Sequence, residues 1–406
     1  MSTEVGPSAE DVADARRLLE GVAIRTPVEE SRWLSRIAGG PVLLKTENLQ
    51  RAGSFKIRGA YTRMSRLSGE ERARGVVAAS AGNHAQGVAL AAQLLGIRSR
   101  VYMPHGAPIV KEKATRAYGA EVHFVGTTID EGLVEARKYA DETGAVLVHP
   151  FDHPDVVAGQ ATCGLELLEQ CPEMRSLIVP AGGGGLLAGV ATAVKRERPD
   201  VHVVGVQAAG AAAWPVSLEK GAPQALDSMT TMADGIAVGR PGEVPFAAVR
   251  AHVDEFLTVS EESLSKALLM LLERAKLVVE PAGAAGVAAM MDHPQRFATP
   301  AVVVLSGGNI DPILLMNVVR HGMAATGRYL DFRARIPDRP GGLARLLAEL
   351  AEAGANVLDV VHRRTSAQLH LDEVEVALQV ETRSQEHAAK VLEHLRAKGY
   401  PVRERR

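Results

Sequence analysis

Along most of this chain, short apolar runs alternate with stretches of helical periodicity, and no other feature narrows the possible folds as far. Residues 42–44, 76–79, 100–103, 122–125, 146–148, 177–179, 203–206 and 302–305 read as buried strands. Between them, 84–95, 108–118, 130–142, 186–196 and 262–276 carry apolar residues at helical spacing. A βαβα order demands parallel strands, joined by crossover helices that cover both faces of the sheet. The expected fold class is therefore α/β with parallel sheets, and ligands belong at the C-terminal ends of the strands, in the loops that enter helices.

The pattern changes near residue 325. Residues 322–327 are small and polar and read as a linker. From 329 to 336 the chain alternates, with Leu330, Phe332, Ala334 and Ile336 on one face. A Pro/Asp/Gly turn at 337–342 leads into a helix at 343–353, whose Leu343, Leu346, Leu347 and Leu350 share a face, and Gly354 is placed to cap it. Strands at 357–361 and 374–380, a helix at 387–398 and a last edge at 401–402 complete a βαββαβ, ferredoxin-like order in about 75–80 residues. The expected organisation is a catalytic region over 1–322, with a smaller subdomain at about 53–152, followed by a separate module over 328–406.

Charge and cysteine content exclude several function classes. Lys and Arg number 46 against 48 Asp and Glu, a net charge of −2. That balance offers no source for the counterion release that drives nucleic-acid binding, and 4% aromatics leave little for base stacking. Cys163 and Cys171 are the only cysteines, eight residues apart, so neither a disulfide framework nor a Cys-based zinc site can be built. A reducing, cytoplasmic setting is expected. The first residues lack a basic segment followed by an apolar one, and no charge-free apolar run reaches membrane-spanning length.

The strand at 177–179 runs into Gly182, Gly183, Gly184, Gly185 and Leu186, and then into a helix. Four glycines let backbone N–H groups converge on an anion, and the helix N-terminus adds its positive dipole. No Gly-Lys-Ser/Thr follows, which excludes a Walker A loop. Gly183-x-Gly185-x-x-Ala188 meets the loose dinucleotide fingerprint, but the next strand ends at Gln207, where an acidic residue would be needed for a ribose. A cradle for a single phosphate, or a tight turn with no ligand, remains open on these residues alone.

Three more loops fall at strand ends. Lys56 follows Gly53-Ser54, read as a turn and cap opening a helix, where the helix N-terminus and neighbouring arginines favour the neutral, nucleophilic amine. Ser80, Ala81, Gly82, Asn83 and His84 join a strand to a helix, with Ser80 or Asn83 as cap and free N–H groups suited to a carboxylate. Ser306, Gly307, Gly308 and Asn309 follow the last strand of the sheet. His149 and His153, separated by prolines, read as ordinary loop histidines, and the acidic pairs Asp254-Glu255 and Glu261-Glu262 as a solvated face.

Taken together, Ser54-Phe55-Lys56-Ile57-Arg58-Gly59-Ala60, Ser80-Ala81-Gly82-Asn83-His84-Ala85-Gln86-Gly87, Pro150-Phe151-Asp152-His153-Pro154, the glycine loop and Ser306-Gly307-Gly308-Asn309 resemble the pyridoxal 5'-phosphate (PLP)-dependent threonine dehydratases of fold type II. The likeness runs from about residue 10 to residue 320. The tail, through Ile336-Pro337-Asp338-Arg339-Pro340-Gly341-Gly342-Leu343 and Gly354-Ala355-Asn356-Val357, is similar to an ACT domain.

The resemblance implies that Lys56 carries PLP as a Schiff base and then acts as general base, with Phe55 beside the ring. Gly182, Gly183, Gly184, Gly185 and Leu186 would hold the phosphate, Asn83 the 3-hydroxyl and Ser306 the pyridine nitrogen, while Ser80, Ala81, Gly82 and His84 receive the substrate carboxylate. The implied reaction converts L-threonine to 2-oxobutanoate and ammonia, and L-serine to pyruvate. Alternatives are another β-elimination on serine-like amino acids, or an inactive amino-acid-sensing regulator. Ala81 stands where serine-racemising relatives carry a second serine, so racemase activity is not expected. Residues 207–211 lack the carboxylates that bind a divalent cation in some relatives, so no metal is expected. The implied partners are the amino-acid substrate, an amino-acid effector at the tail, and further copies of the chain in a dimer or tetramer.

Overall fold

The strands, numbered in chain order, are β1 (Val28–Glu30), β2 (Val42–Lys45), β3 (Val76–Ala79), β4 (Ser99–Met103), β5 (Glu121–Phe124), β6 (Val146–Leu147), β7 (Ser176–Pro180), β8 (His202–Ala208), β9 (Glu255–Val259), β10 (Ala301–Val304), β11 (Tyr329–Pro337), β12 (Asn356–Arg363), β13 (Glu373–Glu381) and β14 (Val402–Glu404). They come from a computed structural model that describes residues 5–363 and 372–404. The chain forms two compact units, Met1–Pro312 and Ile313–Arg406.

The first unit holds two sheets. The larger runs β1-β2-β10-β7-β8-β9, parallel throughout except for the antiparallel edge strand β1. The smaller, β5-β4-β3-β6, is wholly parallel. β3, β7 and β10 are buried at every position, as strands covered on both faces must be. Two edge strands are absent from the sequence reading: β1 is mostly charged and half-exposed, and β9 opens on Glu255 in a stretch read as a solvated acidic face.

A helix missed in the sequence has a related cause. Pro281–Asp292 is buried from Pro281 through Met290, so it has no polar face and no helical period to detect. Pro154–Gln170 opens on a proline at its first turn, where the missing N–H costs nothing. A Cβ on its Gly159 would stand 2.5 Å from the Arg58 carbonyl oxygen, so glycine is what lets this helix close onto Lys56–Ser65. Cys163 lies on Pro154–Gln170 and Cys171 just beyond it; both are free thiols, and both are buried.

The second unit has the βαββαβ order. Its antiparallel sheet runs β12-β13-β11-β14, with helices Gly342–Glu352 and Gln385–Ala397. Leu330, Phe332, Ala334 and Ile336 form its core with Leu346, Leu350 and alternate residues of β13. The helix Pro312–Ala325 corrects the expected linker: residues 322–325 are its last turn, and Gly322 is buried rather than exposed. Residues 405 and 406 of the expected tail lie outside the described residues.

Candidate active site

β10 sits between β2 and β7, so the loops that follow these three strands emerge side by side. They carry Lys56, Ser306 and the glycine run. The loop after β3 brings Ser80, Ala81, Gly82, Asn83 and His84 from the smaller sheet to the same place. All of these residues line one cavity of about 660 Å³, which agrees with the rule for ligands at parallel-strand ends.

Lys56 opens the helix Lys56–Ser65. Phe55, not Ser54, occupies the cap position, and it makes no side-chain cap bond. Ser54 is extended and pairs with Gly307, while the Phe55 N–H donates to the Ser306 carbonyl at 3.2 Å. Two loops distant in sequence are thereby stitched together. Lys56 Nζ donates to the Pro150 carbonyl at 3.0 Å and lies 5.1 Å from the centre of the Phe55 ring.

Burial pushes the Lys56 ammonium down to about 8, and the Glu280 carboxylate offsets part of that push. The neutral amine is thus accessible near physiological pH, but for a different reason from the one read in the sequence. Arg58 contributes little positive field, because its charge is matched. The guanidinium of Arg58 clasps Glu47 through two hydrogen bonds of 2.8 and 2.9 Å and reaches Glu166 at 2.7 Å. Lys45 completes this buried group, 2.5 Å from Glu166.

The glycine loop packs on Phe151. A Cβ on Gly183 would overlap the Phe151 ring, and one on Gly185 would meet Phe151 Cβ at 3.0 Å. Gly184 has φ +100°, the left-handed conformation that favours glycine, and a Cβ there would overlap Trp214. Trp214 Nε1 donates to the Gly182 carbonyl at 2.7 Å. Helix Gly185–Glu197 starts here, with Leu186 in its first turn, so unpaired N–H groups face the cavity end. Gln207, the residue at the ribose position of a dinucleotide site, is fully buried and spends both ends of its amide on Ala211 and Trp214. Gln207 therefore has no amide end left for a ribose, which speaks against a dinucleotide at this loop.

The helix after β3 is Asn83–Leu95, and Gly82, rather than Ser80 or Asn83, is its cap. Ser80 Oγ accepts from the Gly82 N–H at 3.1 Å and shapes the turn. His84 turns its imidazole inward, with Nε2 donating to the Val148 carbonyl at 2.7 Å. Burial holds that ring neutral, pushing it down to about 3. What His84 offers to a ligand is backbone and shape. Ala81 brings no side-chain polar group to the loop.

Several groups in the cavity carry no signal in the sequence. Glu280, 2% exposed, places Oε1 2.6 Å from Asn83 Nδ2, while its Oε2 has no hydrogen-bond partner. Burial pushes this carboxyl up to about 7, helped by Asp234 and opposed by Lys111, Asn83 and Lys56. Lys111 Nζ and Asp234 Oδ2 meet at 2.6 Å along the cavity wall. His149 also lines the cavity, kept neutral by burial at about 4, with Nδ1 accepting from the Asp152 N–H at 2.9 Å. His153 is a cap, accepting from the Asp155 N–H. The acidic pairs beyond the site are less solvated than the sequence suggests: Asp254 bonds the Val203 N–H, and Glu261 bonds Thr231 and Met232. Among the described residues, Glu349, Glu352 and His394 also bring ligand-type atoms together, but Lys398 already neutralises Glu349 at 3.1 Å.

A buried amine near neutrality, a glycine cradle under a helix N-terminus and a Ser-Gly-Asn turn on one cavity define a PLP-type site, and comparison with known proteins agrees. Residues 19–307 match the family described as pyridoxal-phosphate dependent enzyme, and residues 332–399 match the ACT domain. The chain belongs to the pyridoxal-phosphate-dependent enzymes and carries a C-terminal ACT domain. It is 45% identical to an L-threonine ammonia-lyase of Thermotoga maritima, over 97% of this chain and 98% of that one. Among solved structures, a threonine deaminase from T.th. is 44% identical with TM-score 0.72, covering 75% of this chain and 99% of its own. A maize serine racemase is 34% identical with TM-score 0.73, covering 77% and 96%. The cofactor is PLP, and the cavity fits it: an amine for the aldehyde, a cradle for the phosphate, and a buried carboxylate oxygen left without a protein partner. No helix among the described residues is long and apolar enough to cross a membrane.

Proposed function

We propose that this chain is a threonine ammonia-lyase, converting L-threonine to 2-oxobutanoate and ammonia and L-serine to pyruvate. The observation that carries the reading is Lys56 itself: a buried amine at about 8, sharing one cavity with the glycine cradle and the Ser80–Asn83 turn.

Lys56 would hold the cofactor through its side-chain amine and would serve as the general base at the substrate Cα. The N–H groups at Gly182–Leu186 hold the phosphate, and the Ser80, Ala81 and Gly82 turn receives the substrate carboxylate at the N-terminus of Asn83–Leu95. When bound, PLP supplies the electron sink for the pair left at Cα. Ser306 lines the same cavity and would offer the ring nitrogen a neutral hydroxyl, which cannot keep that nitrogen protonated as a carboxylate would. With such a partner the cofactor would favour loss of the β-hydroxyl, which would take up one proton and leave as water. The enamine released by that loss would take up water to give the 2-oxo acid and ammonia.

The second unit is the amino-acid-sensing module, fitting an effector such as isoleucine, and the chain assembles as a homo-oligomer. Two free, buried thiols suit a reducing cytoplasm. The test is the absorption spectrum of the protein before and after L-threonine, with 2-oxobutanoate assayed in the same tube. A Schiff-base band with ketoacid production is expected. A band without ketoacid redirects the substrate to other β-substituted amino acids, and no band in PLP-supplemented protein overturns the reading. Half-saturation for threonine with and without isoleucine tests the effector.

A further inference from the structure

Asn83 is the one residue of the cavity whose side chain is gripped at both ends. Its Nδ2 donates to Glu280 Oε1 at 2.6 Å, and its Oδ1 accepts from Asn309 Nδ2 at 2.8 Å. Asn309 is in turn anchored by donating to the Ala52 carbonyl at 2.7 Å. An amide flipped by 180° would set oxygen against carboxylate oxygen and nitrogen against nitrogen, so only one orientation satisfies both neighbours. In that orientation the hydrogen still free on Nδ2 is what the amide nitrogen can offer a ligand.

Glu280 is itself held for this task. Its backbone N–H donates to the Gly307 carbonyl at 3.0 Å. A Cβ on Gly307 would overlap the carboxylate and stand 3.1 Å from Asn83 Nδ2. The carboxylate is buried, lines the cavity and makes no other side-chain hydrogen bond within the protein.

We propose that Glu280 is a positioning residue for the cofactor: by accepting from Asn83 it fixes the amide so that Asn83 presents an N–H, and not its carbonyl, to the oxygen on the PLP ring. This rests on the PLP reading above. A donor at that oxygen favours its ionised form, so the orientation of one amide sets the charge state of the ring substituent.

The test uses the full chain stripped of PLP. PLP dissociation constants are measured by equilibrium dialysis for the wild type, N83A, E280A, the double variant and E280Q, with thermal unfolding of each apo-protein as the folding control. E280A is expected to weaken PLP about tenfold, the loss of one good hydrogen bond. The double variant is expected to bind no more weakly than N83A alone. E280Q keeps an acceptor oxygen and is expected to stay within about threefold of the wild type. Additive losses, or E280Q as weak as E280A, overturn the assignment. Should E280A not fold, N83D carries the test, because an Asp has no N–H to present; unchanged PLP affinity in N83D overturns the proposal. Wild-type protein that binds no PLP sinks the underlying reading, whereas tight wild-type binding with additive variants sinks this assignment alone.

Discussion

Arg58 and Glu47 form a two-point ion pair, 2.8 and 2.9 Å, with both side chains essentially inaccessible to water. Burial pushes the Glu47 carboxyl up, but Arg58 and Lys45 outweigh it and hold the group below its usual range. Removing Glu47 leaves two buried cations, Arg58 and Lys45, to share the single carboxylate of Glu166. Glu47→Ala is expected to cost about 3–5 kcal/mol in urea unfolding. Because Arg58 lies two residues past Lys56, PLP affinity should fall in the same variant. The depressed Glu47 carboxyl stabilises the fold above pH 4.5 and loses that contribution as pH falls below it.

Lys56→Ala is expected to abolish both turnover and the Schiff-base absorbance. In the wild-type apo-protein, the rate of PLP capture should rise with pH through about 8 and level off above it, because the neutral amine is the nucleophile. A surface lysine would keep gaining up to about 10.4. Stopped-flow absorbance over pH 6–10 distinguishes the two.

Gly183→Ala would drive a methyl group into the Phe151 ring beneath the cradle. PLP affinity is expected to drop by at least about tenfold, or about 1.4 kcal/mol, as measured by equilibrium dialysis.

Glu280, raised to about 7 mainly by burial, makes the apo-protein prefer the protonated carboxyl. The folded state then binds more protons than the unfolded chain between pH 4.5 and about 7, so this contribution is complete at low pH and lost as pH rises through 7. The neutral-held His84 and His149 act in the opposite direction at lower pH, so the difference between wild type and E280Q is the quantity to read. Wild type should lose on the order of 3 kcal/mol relative to E280Q across that window, followed by urea unfolding.

Ala81 places no acid–base group on the loop proposed to receive the carboxylate. Chiral chromatography after incubation with L-serine is expected to show pyruvate and no D-serine. D-serine formed at a rate near that of elimination would contradict this.

The fold was legible wherever its signals are local. Strands such as Val76–Ala79 and Ala301–Val304 announce themselves as unbroken β-branched or small apolar runs, and β11 by its strict alternation. The buried helix Pro281–Asp292 and edge strands β1 and β9 were not legible, because burial on all sides or exposure at an edge erases the period. Caps were misread at Ser54 and Asn83 because the Ser54 backbone is extended and bridged to Gly307, and the Asn83 side chain is drawn to Glu280.

By itself, the sequence determined the α/β class, the βαββαβ module, and the four loops that carry Lys56, Asn83, the glycines and Ser306, since each depends on residues adjacent in the chain. Only the tertiary structure decided that these loops share one cavity, because that follows from β10 inserting between β2 and β7 and from the β3 loop of the smaller sheet reaching the same place. It alone revealed Glu280 beside Asn83, Lys111 against Asp234, and the matching of Arg58 by Glu47. Hydrogen bonds and desolvation depend on distance in space, and no spacing along the chain encodes which distant carboxylate a buried amide or cation will meet.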